Sequence, residues 1–161
     1  MIILYDVNSI KFAHPTKLIY ANINKRNEVI NNNKNSQLVA QQISENKYFV
    51  GTLQGCNRSG STVRCAVVFR SKQDLRDEVE CKYGNVTRLF DRFGNTYLCS
   101  EVQIGNQKRE GSLTSRYPQR TPVKVTLTFK NIPSQTNEFD TLEVHTDDYG
   151  FLRFRNIKVS G

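Results

Sequence analysis

The chain has no tryptophan, one methionine and only two histidines among its 161 residues. With His14 and His145 alone, a histidine-rich metal centre is excluded, and neither lies in a context resembling a Ser–His–Asp triad. The G-x-S-x-G elbow, the glycine-rich phosphate loop and the C-x-x-C knuckle are all missing. No apolar run approaches the roughly 18 residues of a helical membrane span. From Tyr48 onward no helical stretch is present, which removes the crossovers that a parallel α/β sheet requires. These absences predict a protein that is not an enzyme, holds no cofactor or metal, and has no membrane span.

Hydrophobic residues are also scarce at 37%, and they are unevenly placed. Residues 1–47 hold two short apolar pieces, Ile2–Val7 and Lys17–Ala21, followed by a stretch over 21–37 that carries seven Asn. Asn competes for backbone hydrogen bonds and suits neither helix nor strand interiors, so this region reads as a loosely structured extension and linker. Ser36–Asn46 could form two turns of helix with Leu38, Val39 and Ile43 on one side. The start, Met-Ile-Ile-Leu-Tyr-Asp, lacks the basic region of a secretory signal. The chain therefore either stays in the cytoplasm or has its true amino terminus upstream.

Residues 48–161 read as one domain of short strands. Gly60-Ser61 between two β-type runs suits a two-residue hairpin loop. In the following run Val63, Cys65, Val67 and Phe69 share a face, and in Thr96–Ile104 so do Leu98, Val102 and Ile104. Residues 123–130 alternate, with Val123, Val125, Leu127 and Phe129 inward. Leu142 and Val144 continue the pattern, and Asp147–Gly150 makes a turn. The last run changes parity between Phe154 and Ile157, which a bulge at Arg155-Asn156 would reconcile. Seven or eight such strands predict an all-β, antiparallel sandwich with Val63, Val67, Phe69, Leu98, Val125, Leu127, Phe129 and Phe154 in its core.

The cysteines carry the compartment. With Gly60-Ser61 as the loop, Cys56 falls directly opposite Cys65, where Cβ atoms stand about 4.5–5.5 Å apart and a disulfide can form. Cys81 and Cys99 are a second candidate pair across the turn at Asp91–Asn95. Bridges would place the protein outside the cell or in the periplasm or envelope. The alternative is four unpaired cysteines acting as small core hydrophobes.

A net charge of +8 invites a nucleic-acid reading that its distribution weakens. Residues 108–130 hold six Lys or Arg against Glu110 alone, whereas 138–148 hold five carboxylates and no Lys or Arg. Lys108, Arg109, Arg116 and Arg120 with Tyr117 could contact a polyanion, nucleic acid or anionic polysaccharide, through a basic 108–124 loop. The two N-x-[ST] sequons match the roughly two that chance provides in this composition.

The order FVGTLQGCNRSGSTVRCAVVF, TRLFDRFGNTYLCSEVQIGN, TPVKVTLTFKNI and LRFRNIKV resembles bacterial, cyanobacterial-type immunoglobulin-like cell-envelope domains of unknown function. The resemblance covers 48–161 and rests on turns and core positions. It implies an immunoglobulin-like sandwich, an envelope location behind a signal or lipoprotein anchor, and binding of a protein or cell-wall polymer. It transfers no catalytic residue.

Overall fold

The computed structural model describes residues 41–82, 84 and 86–161. The readings made for Ile2–Val7, Lys17–Ala21 and the Asn-rich stretch lie outside the described residues. The compact unit runs from Ala40 to Gly161. Its strands are β1 (Gln42–Glu45), β2 (Phe49–Ser59), β3 (Thr62–Ser71), β4 (Leu75–Val79), β5 (Arg88–Phe90) and β6 (Thr96–Ile104). They continue with β7 (Gln107–Glu110), β8 (Leu113–Tyr117), β9 (Pro122–Phe129), β10 (Glu138–Thr146) and β11 (Gly150–Ser160). No helix occurs among the described residues. The described part of the expected helix at Ser36–Asn46 is β1, because the edge of β2 offers unpaired backbone groups that an extended segment can satisfy.

The all-β, largely antiparallel expectation holds. In place of the immunoglobulin-like sandwich of seven or eight strands, the described residues form eleven strands, seven of which close into a barrel in the order β2–β3–β9–β6–β5–β10–β11 and back to β2. Two strands make closure possible by changing partner midway. β6 pairs with β5 through Thr96–Leu98 and with β9 through Cys99–Ile104. β11 runs antiparallel to β10, then ends parallel to β2 with Val159 opposite Cys56 and Ser160 opposite Asn57. The remaining strands attach outside this ring: β1 on β2, β7 on β6, and the β4–β8 pair on the end of β10.

Phe49, Phe69, Leu127, Phe129, Leu142 and Phe154 fill the interior with Val63, Val67 and Val125, all at most 1% exposed. A ring of this strand number leaves room for side chains and no channel. Leu98 departs from expectation and is 56% exposed. A register shift between Cys99 and Glu101 reverses the faces of β6, turning Cys99, Val102 and Ile104 inward and leaving Leu98 outside. The parity change in β11 is also real, since Leu152, Phe154 and Ile157 are all buried. It is made by Asn156 at φ 53° with the β10 register unchanged on either side, so no extra residue is inserted.

Both disulfides form. Cys56 and Cys65 stand opposite one another in the β2–β3 ladder with Cα atoms 4.0 Å apart, and Gly60 opens the turn at φ 59° as a two-residue hairpin of this hand requires. Cys81 and Cys99 join the segment after β4 to the middle of β6, with Cα atoms 4.8 Å apart. Two bridges closing short loops indicate an oxidising environment.

Intact mass is expected to show no alkylation without reductant and four alkylated thiols after reduction; four reactive thiols in native protein would contradict the disulfides. Gly51→Ala should destabilise the domain by about 1–3 kcal/mol in urea unfolding. A Cβ there would lie 2.5 Å from Leu152 Cδ1 and 3.1 Å from Phe154 Cζ, both in the core. An unchanged midpoint would show that β2 and β11 do not pack this closely.

Candidate functional site

The most built-up surface lies where the β5–β6 turn meets the outer face of β10 and β11. Asp91 organises that turn with four hydrogen bonds. Its Oδ1 accepts the N–H groups of Phe93 and Asn95, both at 2.9 Å, and its Oδ2 accepts Asn95 Nδ2 at 2.8 Å and the Tyr97 hydroxyl at 3.2 Å. Partial burial opposes its charge, but these donors outweigh that and hold its pKa below the usual carboxylate range. The tip this creates points Arg92 and Phe93 outward. Phe93 is 76% exposed, with the Arg92 guanidinium 4.8 Å from the centre of its ring.

Three clefts of about 540, 480 and 370 Å³ surround this tip, and Arg92 lines all three. The first runs over Asp140, Glu143, Arg153 and Arg155. The others continue past Glu138 and Lys158, and past Gln135 and Asn137. Donors and carboxylates alternate along the whole path.

The floor is fixed by β-ladder register. Glu143 stands opposite Arg88 on β5 and opposite Arg153 on β11. Its Oε2 accepts Arg88 Nε at 3.1 Å, and its Oε1 accepts Arg153 Nε at 3.0 Å and Nη2 at 2.6 Å. His145 Nε2 lies 3.4 Å from the same carboxylate. Burial works against the charge of Glu143, yet the bonds from Arg153, His145 and Arg88 prevail and its pKa falls below the ordinary value. His145 moves down as well, first through burial and then through the two arginines, with Glu143 pulling the other way. It is only 6% exposed, covered by the Phe151 ring at 5.2 Å, and not the exposed strand histidine that its outward parity suggests. The Arg153 guanidinium also lies over the Phe151 ring at 5.0 Å, and Arg88 lies 5.4 Å from Phe90.

The residues expected to contact a polyanion are dispersed. The 108–124 segment is not an irregular loop but β7, β8 and the start of β9. Lys108 is paired with Glu101 at 3.1 Å. Arg109 is exposed on β7 opposite Val102. Arg116 lies on β8 opposite Arg76, and Arg120 takes φ 60° in the turn before β9. Tyr117 is fully buried, its ring 5.2 Å from Phe49 and 6.0 Å from Phe69, and can stack on no ligand. Its parity with Leu113, which is also buried, is the sign of this in the sequence. Arg92, Phe93 and Arg153 belong to no binding motif, and only the Asp91–Asn95 turn, which sets Arg92 and Phe93 at an exposed tip, points to any of them in the sequence.

Glu143→Gln should cost about 1–3 kcal/mol at neutral pH, because Arg88 and Arg153 lose their counter-charge, with partial exposure of both arginines favouring the lower end. A folded pKa below the unfolded one means the contribution is complete above the unfolded carboxylate range and fades as pH falls through the folded value. Urea unfolding at pH 7 and pH 3 should therefore show the gap between the two proteins narrowing in acid; a gap independent of pH would contradict the ion-pair assignment.

Compared with protein-family models, with curated proteins and with solved structures, the chain matches none.

Proposed function

We propose that this protein is a non-enzymatic binding module, envelope-associated or secreted, which holds a hydroxyl-rich cell-wall polysaccharide in the groove around Arg92. The observation that carries this reading is the convergence of three clefts on one residue, Arg92, with the exposed phenyl ring of Phe93 lining one of them. A sugar hydroxyl both donates and accepts. It is served by a wall in which Arg92, Arg153, Arg155 and Lys158 alternate with Glu138, Asp140 and Glu143. A polyanion would meet those carboxylates along the same path. The phenyl ring of Phe93 offers apolar area to the C–H face of a pyranose ring, and the cleft of about 480 Å³ that it lines suits a few such units.

The two disulfides are compatible with this setting. So is the resemblance of the Cys56–Cys65 hairpin and the Asp91–Asn95 turn to immunoglobulin-like envelope domains. The alternative, a polyanion site on 108–124, loses its aromatic residue to the core and Lys108 to Glu101.

Affinity electrophoresis in gels containing soluble cell-wall polysaccharides should retard the protein. Phe93→Ala and Arg92→Ala should each weaken retardation about tenfold. Both positions are exposed, so the unfolding midpoint should move by less than about 0.5 kcal/mol. Retardation untouched by either substitution would place the binding surface elsewhere; no retardation by any neutral polysaccharide would reject the proposal.

A further inference from the structure

Outside the groove, one arrangement on the β4–β8 pair has no structural reason. Arg76 on β4 and Arg116 on β8 are direct cross-strand partners, and both are exposed. The register is held from the inner face, where Val79 and Leu113 are buried opposite each other and Leu75 faces the buried Tyr117. The two arginines therefore project together from the outer face, with Cβ atoms about 4.5–5.5 Å apart. Like charges directly opposite on a ladder are destabilising.

Asp77, next to Arg76 in sequence, is buried on the inner face, and neither Glu78 nor Asp74 forms an ion pair with either arginine. Glu78 Oε2 accepts the Thr114 hydroxyl at 3.0 Å, and Asp74 Oδ1 accepts the Gln119 N–H at 2.7 Å. Neither arginine takes part in an ion pair among the described residues. The contrast with Glu143 is informative. There the fold sets a carboxylate between two arginines on neighbouring strands; here it sets two arginines side by side with no anion between them.

We propose that Arg76 and Arg116 form a binding site for a tetrahedral oxyanion, sulfate or phosphate, free or as an ester. Two planar guanidinium groups can each offer a pair of N–H donors to such an anion, which has enough acceptor oxygens for both. Binding turns the repulsion between the arginines into two charge-assisted contacts. The site is independent of the polysaccharide groove and would survive the failure of that reading.

The test is an NMR titration of the oxidised 161-residue chain with sodium sulfate, against sodium chloride at matched ionic strength. Backbone amides on β4 and β8 should shift saturably with sulfate, and Arg76→Gln or Arg116→Gln should weaken binding about tenfold. In chloride alone, Arg116→Gln should melt at or above the temperature of the native protein, since a repulsion has been removed. Inorganic phosphate and a heparin hexasaccharide, titrated in parallel, separate the sources. Tighter binding of the hexasaccharide assigns the site to esters on a glycan, and equal binding of the inorganic ions assigns it to free anions. No saturable shift, a shift unaffected by both substitutions, or a lower melting temperature for Arg116→Gln in chloride would each overturn the proposal.

Discussion

The whole arrangement depends on the short seam at which β11 returns to β2. Only Val159 and Ser160 make ladder contacts there, with Cys56 and Asn57. The seam is reinforced from both sides. Ser160 Oγ donates to Asn57 Oδ1 at 2.6 Å and lies 3.2 Å from the Cys56 carbonyl, while Cys56 is itself bonded to Cys65 on β3. Further along, where β11 has drawn away from β2, the N–H groups of Arg153 and Arg155 are satisfied by Ser44 Oγ and Gln42 Oε1 from β1. β1 thus plugs the open part of the seam with side chains where backbone pairing cannot reach. Asn46 Nδ2 adds bonds to the carbonyls of Tyr149 and Phe151 at the far end.

Closure also positions the groove. β11 supplies Arg153, Arg155 and Lys158 to its walls, and the register with β10 places each against its neighbours. The acidic run of 138–148 and the basic residues near it, separate in the sequence, are interleaved by this pairing. Glu143 becomes the shared counter-ion of Arg88 and Arg153, and Asp140 lies 3.6 Å from Arg155. The β4–β8 pair meets the end of β10 over a short ladder: Thr146 stands opposite Val79, flanked by backbone bonds from Glu80 N–H to the His145 carbonyl and from Asp147 N–H to the Glu78 carbonyl, both at 3.0 Å. Beneath it the Tyr117 hydroxyl and Asp77 Oδ2 are buried with no hydrogen-bond partner among the described residues. Burial pushes both groups up from their ordinary pKa values, and the Asp77 charge raises Tyr117 further.

Local features were legible in the sequence and closure was not. The Gly60-Ser61 loop fixes a register, so the Cys56–Cys65 bridge follows from counting residues. The strict alternation of Val123–Lys130 gives β9 and its core face in the same way. Leu98 could not be placed, because the shift between Cys99 and Glu101 comes from β6 changing partner, a tertiary event without a mark in its alternation. Asn156 is an intermediate case: the parity change shows that something must give, but a left-handed residue and an inserted one produce the same pattern. For the site, the Asp147–Gly150 turn joins β10 to β11 but does not fix their register: as a four-residue turn it would pair Glu143 with Phe154, whereas Thr146 stands opposite Gly150 and so Glu143 opposite Arg153. The convergence of Arg92 with Arg153 and Arg155, some sixty positions later in the chain, needed the barrel to be closed first.

The central claim is that β11 closes the ring on β2, and through-space NMR contacts across the seam test it most directly. In the oxidised protein, nuclear Overhauser contacts are expected between the backbone protons of Val159–Ser160 and those of Cys56–Asn57, in a parallel pattern, with slowed hydrogen exchange at the bonded amides. A carboxy-terminal segment with no such contacts and amides exchanging at random-coil rates would contradict the account, leaving an open sheet with no fixed β11 to build the groove.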